Sequence, residues 1–89
     1  MRKIFKYQLE IKDFNDIEMP KNAEVLSVQV QNGIPCIWAM VDTENPLEKR
    51  KFMTIGTGKE LCPRTPHTFI GTYQLSELGL VFHCFELTM

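Results

Sequence analysis

The sequence has no apolar run near the ~20 residues that a membrane-spanning helix needs. Its opening, Met1-Arg2-Lys3-Ile4-Phe5-Lys6-Tyr7, is charged, and no apolar stretch or small-residue cleavage site follows. That argues against a secretory leader, and the expected location is the cytoplasm. Charge of one sign is lacking too: 10 basic and 11 acidic residues leave a net charge of -1, so nothing draws the whole chain toward nucleic acid or an anionic membrane. Cysteine is scarce, with only Cys36, Cys62 and Cys84. An odd, unpatterned set argues against a disulfide framework and for reduced thiols, and it lacks the paired spacing of a zinc site. No segment holds a helical period, and 89 residues leave room for one domain, 1–89.

What is present is strand-like. Phe5, Tyr7, Leu9 and Ile11 alternate with Lys6, Gln8 and Glu10, the period of a half-buried strand. Asp13 to Lys21, with Asp13, Asn15, Asp16 and Pro20, reads as a loop. Two β-rich runs, Val25 to Val30 and Ile34 to Val41, flank Asn32-Gly33. Asn-Gly is the strongest short hairpin signal, because a type I′ turn needs positive φ at both central residues. That turn sets the register: Gln31 opposite Ile34, then Val30–Pro35, Gln29–Cys36, Val28–Ile37, Ser27–Trp38, Leu26–Ala39 and Val25–Met40. One face is then wholly apolar and the other mixed, with Trp38 among polar neighbours. The Val30–Pro35 pair is not hydrogen-bonded, so the missing proline N–H points away from this partner, and no further strand is expected there.

Thr43 to Lys49 reads as a polar loop, with a helical turn near Pro46 to Lys49. Further strands are expected at about Arg50 to Thr57, Thr68 to Leu75 and Leu80 to Leu87, with a turn at Ser76 to Gly79. Gly56 and Gly71, in the echo Ile55-Gly56-Thr57 and Ile70-Gly71-Thr72, mark bulges or close strand approach. The expected fold is all-β: a single antiparallel six-stranded roll or barrel-like sandwich. The runs Ile34 to Val41 and Leu80 to Leu87 are apolar on both faces, so a homo-oligomer is expected to supply part of their cover.

These pieces resemble a known family. They are Lys3-Ile4-Phe5-Lys6-Tyr7, Ile17-Glu18-Met19-Pro20, Ala23 to Gln31, Pro35 to Ala39, Phe52 with Gly56-Thr57-Gly58, Phe69 to Thr72, and Val81-Phe82-His83. Together they look like a family of small proteins of tailed bacteriophages and bacterial genomes whose function is unknown. The resemblance implies a phage-type protein in a bacterial host cytoplasm. Small accessory phage proteins often act by binding, either sequestering nucleotide signals of host defence or blocking a host protein.

No catalytic pattern emerges, and no enzyme is expected. Cys62 with His67 is the only local nucleophile and base, without an orienting third group. His83 and Cys84 are adjacent on a strand and point to opposite faces, so no metal and no cofactor are expected. The basic residues Arg2, Lys3, Lys6 and Lys49-Arg50-Lys51 suit edge-strand protection better than nucleic-acid binding. The segment Gly56 to His67 carries the strongest ligand signal. Gly56 and Gly58 permit a concave run of backbone N–H groups, Thr57 adds a hydroxyl, and Lys59 and Arg64 add charge. Its spacing is not that of a P-loop. Trp38 admits three readings: a small second core, an interface anchor, or a platform on which a base stacks. The candidate ligand-binding residues are therefore Gly56, Thr57, Gly58, Lys59, Arg64 and Trp38. Two functions follow: a non-catalytic binder of a small anionic, nucleotide-derived ligand, or a module that docks a host protein.

Overall fold

The computed structural model describes residues 1–61 and 66–88. Among them are seven strands: β1 (Arg2–Gln8), β2 (Phe14–Pro20), β3 (Glu24–Gln31), β4 (Ile34–Asp42), β5 (Leu47–Gly56), β6 (His67–Leu75) and β7 (Leu80–Leu87). They form two antiparallel sheets, one in the order β1-β4-β3 and one in the order β2-β5-β7-β6. The all-β antiparallel reading holds. The count of six does not, and the sheets stay open rather than closing into a barrel.

The added strand is β2, within the segment read as a loop. Asn15, Ile17 and Met19 alternate with Asp16 and Glu18, and the polar members face solvent beside Lys51 and Lys49 of β5. Alternation prevails over the local turn formers, and Pro20 falls at the strand's last residue, where a missing N–H is tolerated. β1 starts and ends earlier than expected, leaving Ile11 in an exposed bend. The expected helical turn at Pro46 to Lys49 is instead the start of β5, fixed by Lys21 N donating to Pro46 O at 2.7 Å. The turn at Ser76 to Gly79 is a short 3-10 helix, Ser76–Leu78, ended by Gly79 at φ 65°.

The Asn32-Gly33 turn is as expected, with φ 52° and 78°, and the register follows as far as Ser27–Trp38. There a bulge intervenes. Leu26 loses its partner, and the pairs become Val25–Ala39 and Glu24–Met40. Val25 therefore turns toward the core and Leu26 stands 46% exposed, the reverse of the expected faces. The chain just past β1 does bond at Pro35: Leu9 N donates to Pro35 O at 2.9 Å. The β1–β4 ladder ends there at Gln8–Cys36, consistent with proline having no N–H to continue it.

The two sheets share one buried cluster. Leu9, Val28, Ile37, Ala39 and Val41 meet Met19, Phe52, Tyr73, Leu75 and Cys84. The sheets come closest at the β3–β6 corner. A Cβ on Gly71 would lie 2.9 Å from Val28 Cγ1, so only glycine admits this approach without a shift. Gly56 has no such constraint, its nearest neighbour being Lys59 Cγ at 3.7 Å.

Candidate functional site: a groove beside strand β5

The site is built where β2 begins and β5 ends. Asn15 is buried and clamps the chain ahead of it: its Oδ1 accepts from Glu10 N at 2.9 Å and its Nδ2 donates to Glu10 O at 3.0 Å. A side-chain amide presents a donor and an acceptor just as a backbone peptide does, so Asn15 serves as one further rung of ladder. Asp13 O then accepts from Thr54 N at 2.8 Å, tying the same loop to β5. These bonds hold Ile11 to Phe14 against the end of β5.

Between the loop and the strand lies an open groove of about 550 Å³. Its apolar lining includes Ile11, Phe14, Met53, Ile55, Leu61 and Phe82. Lys12, Asp13, Lys59 and Glu60 supply charge of both signs at its margins. Lys12 is paired with Glu10 at 3.3 Å, whereas the Lys59 stem packs over Gly56. The Phe14 ring is 50% exposed, with the Lys51 ammonium 5.9 Å from its centroid. Thr54 and Tyr73 carry buried hydroxyls with no hydrogen-bond partner among the described residues, and Thr54 borders the groove. Burial raises the Tyr73 phenol above its ordinary range, with Thr54 beside it as an opposing influence.

The residues singled out in the sequence separate into groups. Gly56 and Lys59 line the groove. Thr57 turns the other way: its N–H donates to Val81 O at 3.2 Å, and its hydroxyl lies 2.8 Å from His83 Nε2. His83 Nδ1 is 2.9 Å from Thr72 Oγ1, so this imidazole ties the turn after β5 to β6 across β7. Gly58, at φ 88°, forms the turn itself, and Lys59 N closes it on Gly56 O at 3.2 Å. Two N–H groups of the expected anion nest are thereby already committed, one to β7 and one inside the turn. Arg64 and Cys62 lie outside the described residues. Trp38 sits on the other sheet, opposite Lys6 and Ser27, with the Lys6 ammonium 5.9 Å from its ring and its own Nε1 buried with no partner among the described residues.

Sequence reasoning missed Ile11, Lys12, Phe14, Met53 and Phe82. The signal was the alternation from Asn15 to Met19, which places Phe14 on a strand facing Met53. The cysteines inside the protein are chemically quiet. Cys36 and Cys84 are free and buried, and burial pushes the Cys84 thiol up to about 12, with Glu86 adding to the rise. Among the described residues no three His, Cys, Asp or Glu side chains gather closely enough to hold a metal ion.

Fold and groove together define a small two-sheet β domain with a lateral, mainly apolar cleft. The chain belongs to a family described as a domain of unknown function, DUF7352, whose model matches residues 1–89. Searches of curated proteins and of solved structures each returned no match.

Proposed function

We propose that this protein is a non-catalytic binder of a small ligand that joins a flat or apolar body to an anionic group, nucleotide-like in chemistry. The observation that carries the reading is the groove itself. It offers Phe14 and Phe82 as aromatic surfaces and Lys59 as a cation, in a volume suited to a small molecule. Aromatic rings accept a base by stacking, and an ammonium accepts phosphate oxygens as a point charge. The setting we propose, from the family resemblance, is a phage-type protein that sequesters a nucleotide-derived host-defence signal in the bacterial cytoplasm. Binding alone suffices for that role.

Calorimetry against linear and cyclic nucleotides tests it, with parent, Lys59→Ala and Phe14→Ala proteins. The parent is expected to bind at least one of them. Loss of the Lys59 contact is expected to weaken affinity about tenfold or more, the scale of a charge-assisted contact. Raising the salt concentration is expected to weaken the parent further. A parent that binds none, or variants that bind as well as it does, would end this reading.

One observation favours a second reading, a protein-docking module. On the outer face of the four-stranded sheet, Phe14, Met53, Phe85 and Phe69 stand side by side across four strands, with Phe69 57% exposed. Phe69 and Phe85 rings lie 5.4 Å apart. An apolar stripe of this kind suits a partner's apolar segment. A Phe69→Ser variant with unchanged nucleotide affinity separates this face from the groove.

A further inference from the structure

Strand β1 is an open edge. Among the described residues it pairs with β4 alone, and six of its seven residues, all but Tyr7, are exposed. Ile4 is 62% exposed on one face and Phe5 38% on the other, so the first part of this strand is little covered on either side, and only Tyr7 packs against the core. Two bonds fix which backbone groups are free. Met1 O accepts from Thr43 N and Leu9 N donates to Pro35 O, both at 2.9 Å. No bulge interrupts the β1–β4 register, so the odd residues of β1 face β4. The N–H and C=O groups of Arg2, Ile4, Lys6 and Gln8 therefore point outward along the edge.

Proteins usually guard such an edge with lysine. Here two of the three basic residues are turned inward: Arg2 Nη2 reaches Met40 Sδ at 3.3 Å, and Lys6 reaches across Trp38 to donate to Gln31 Oε1 at 2.6 Å, on the far strand of the sheet, which leaves Lys3. We infer that the occupant of this edge is the β1 strand of a second copy of this chain, related by a two-fold axis, giving a continuous six-stranded sheet β3-β4-β1-β1-β4-β3.

The charge pattern selects the register. A two-fold axis perpendicular to the sheet places one residue opposite itself, because directly opposed residues share a face. An axis at Ile4 sets Arg2 against Lys6, and an axis at Lys6 sets lysine against lysine, both like-charge contacts. An axis at Phe5 removes like charges from directly opposed positions and leaves them only on diagonals. Arg2 then faces Gln8, Lys3 faces Tyr7, Ile4 faces Lys6, and Phe5 faces Phe5. The Arg2–Gln8 and Ile4–Lys6 pairs use every outward N–H and C=O of those four residues. Phe5 and Tyr7 fall at non-hydrogen-bonded positions, where opposed Cα atoms are ~4.5 Å apart and aromatic side chains meet most closely. Phe5 already lies edge-on to Tyr7, with centroids 6.4 Å apart, so the two copies would form one aromatic cluster.

The test is the mass of the full chain in solution by sedimentation and native mass spectrometry across the micromolar range. The parent is expected at twice 10.4 kDa. Ile4→Pro removes an outward N–H while leaving the β1–β4 bonds intact, and is expected to give a folded monomer of half that mass. A Cys62→Ser, Phe5→Cys protein is expected to form an intermolecular disulfide on mild oxidation, and the Cys62→Ser, Lys6→Cys protein is not, because Lys6 faces Ile4. The crosslinking pair decides the matter even if Ile4→Pro fails to fold. A monomeric parent, a folded Ile4→Pro dimer, or crosslinking at Lys6 rather than Phe5 overturns the proposal.

Discussion

At Asn32 and Gly33 the backbone stands at φ 52° and 78°, and the rest of the hairpin depends on those two angles. Asparagine tolerates the left-handed region and glycine enters it freely. A β-branched residue does not. Space is not the obstacle at Gly33, since a Cβ there would meet nothing within 4 Å. Gly33→Val is therefore a test of backbone conformation alone, with an expected loss of about 1–3 kcal/mol, the range of one strained position. Urea melts of variant and parent measure it, and coincident curves would show that the turn does not set the register. This feature was legible because its cause is local: two adjacent residues specify two angles. Asn15 was legible only as a polar loop residue. Its role depends on Glu10 being folded back against it, and spacing along the chain does not announce that.

Elements depart from their sequence patterns where the two sheets meet. β3 and β6 each carry an irregularity, between Val25 and Ser27 and between Phe69 and Gly71. Bulges raise local twist and bend a strand, which lets two edges close a corner. The sequence showed Gly71 as marking a bulge or a close approach: it is the close-approach residue, and the bulge falls on Ile70 beside it. It did not show that Leu26 would be the bulged residue of β3. Leucine fits either face of an apolar run, and the choice is made by β6 packing on Val28. Gly71→Ala tests that contact. Its Cβ would meet Val28 Cγ1 at 2.9 Å, and Val28 is buried in the core with backbone N and O 4.0 Å from the same point. The expected cost is about 1–3 kcal/mol of overpacking. Removing the obstructing methyls with Val28→Ala should offset part of it, so the double variant is expected to lose less than the sum of the single changes. Strictly additive losses in chemical denaturation would place the strain elsewhere.

The whole molecule measures 40 × 34 × 16 Å, thin enough that its single core lies between the sheets and both outer faces keep apolar residues. That geometry explains why the candidate site was half legible. Gly56 and Lys59 announced themselves by type, but Ile11, Phe14 and Phe82 reach the groove only because β2, β5 and β7 are neighbours. The sheets are also joined through an arginine that is ion-paired within the four-stranded sheet. Arg50 of β5 donates through Nε and Nη2 to both carboxylate oxygens of Glu86 of β7, the latter at 2.8 Å, and through Nη1 to Ala23 O at 2.7 Å, just before β3. Hydrogen bonding to Glu86 holds the guanidinium even more firmly protonated than usual. Both side chains are largely buried, so the pair is stabilising only while it stays complete. Glu86→Gln keeps the shape but leaves the cation without its counter-charge, with an expected loss of about 1.5–3 kcal/mol, the range for hydrogen bonds to charged groups. Replacing both partners together, Arg50→Met with Glu86→Leu, removes the charge as well as its partner and should restore much of that loss. The comparison is urea denaturation at neutral pH. A double variant no more stable than Glu86→Gln would mean that the Arg50 bond to Ala23 O, rather than the ion pair, is what fastens the second sheet to the first.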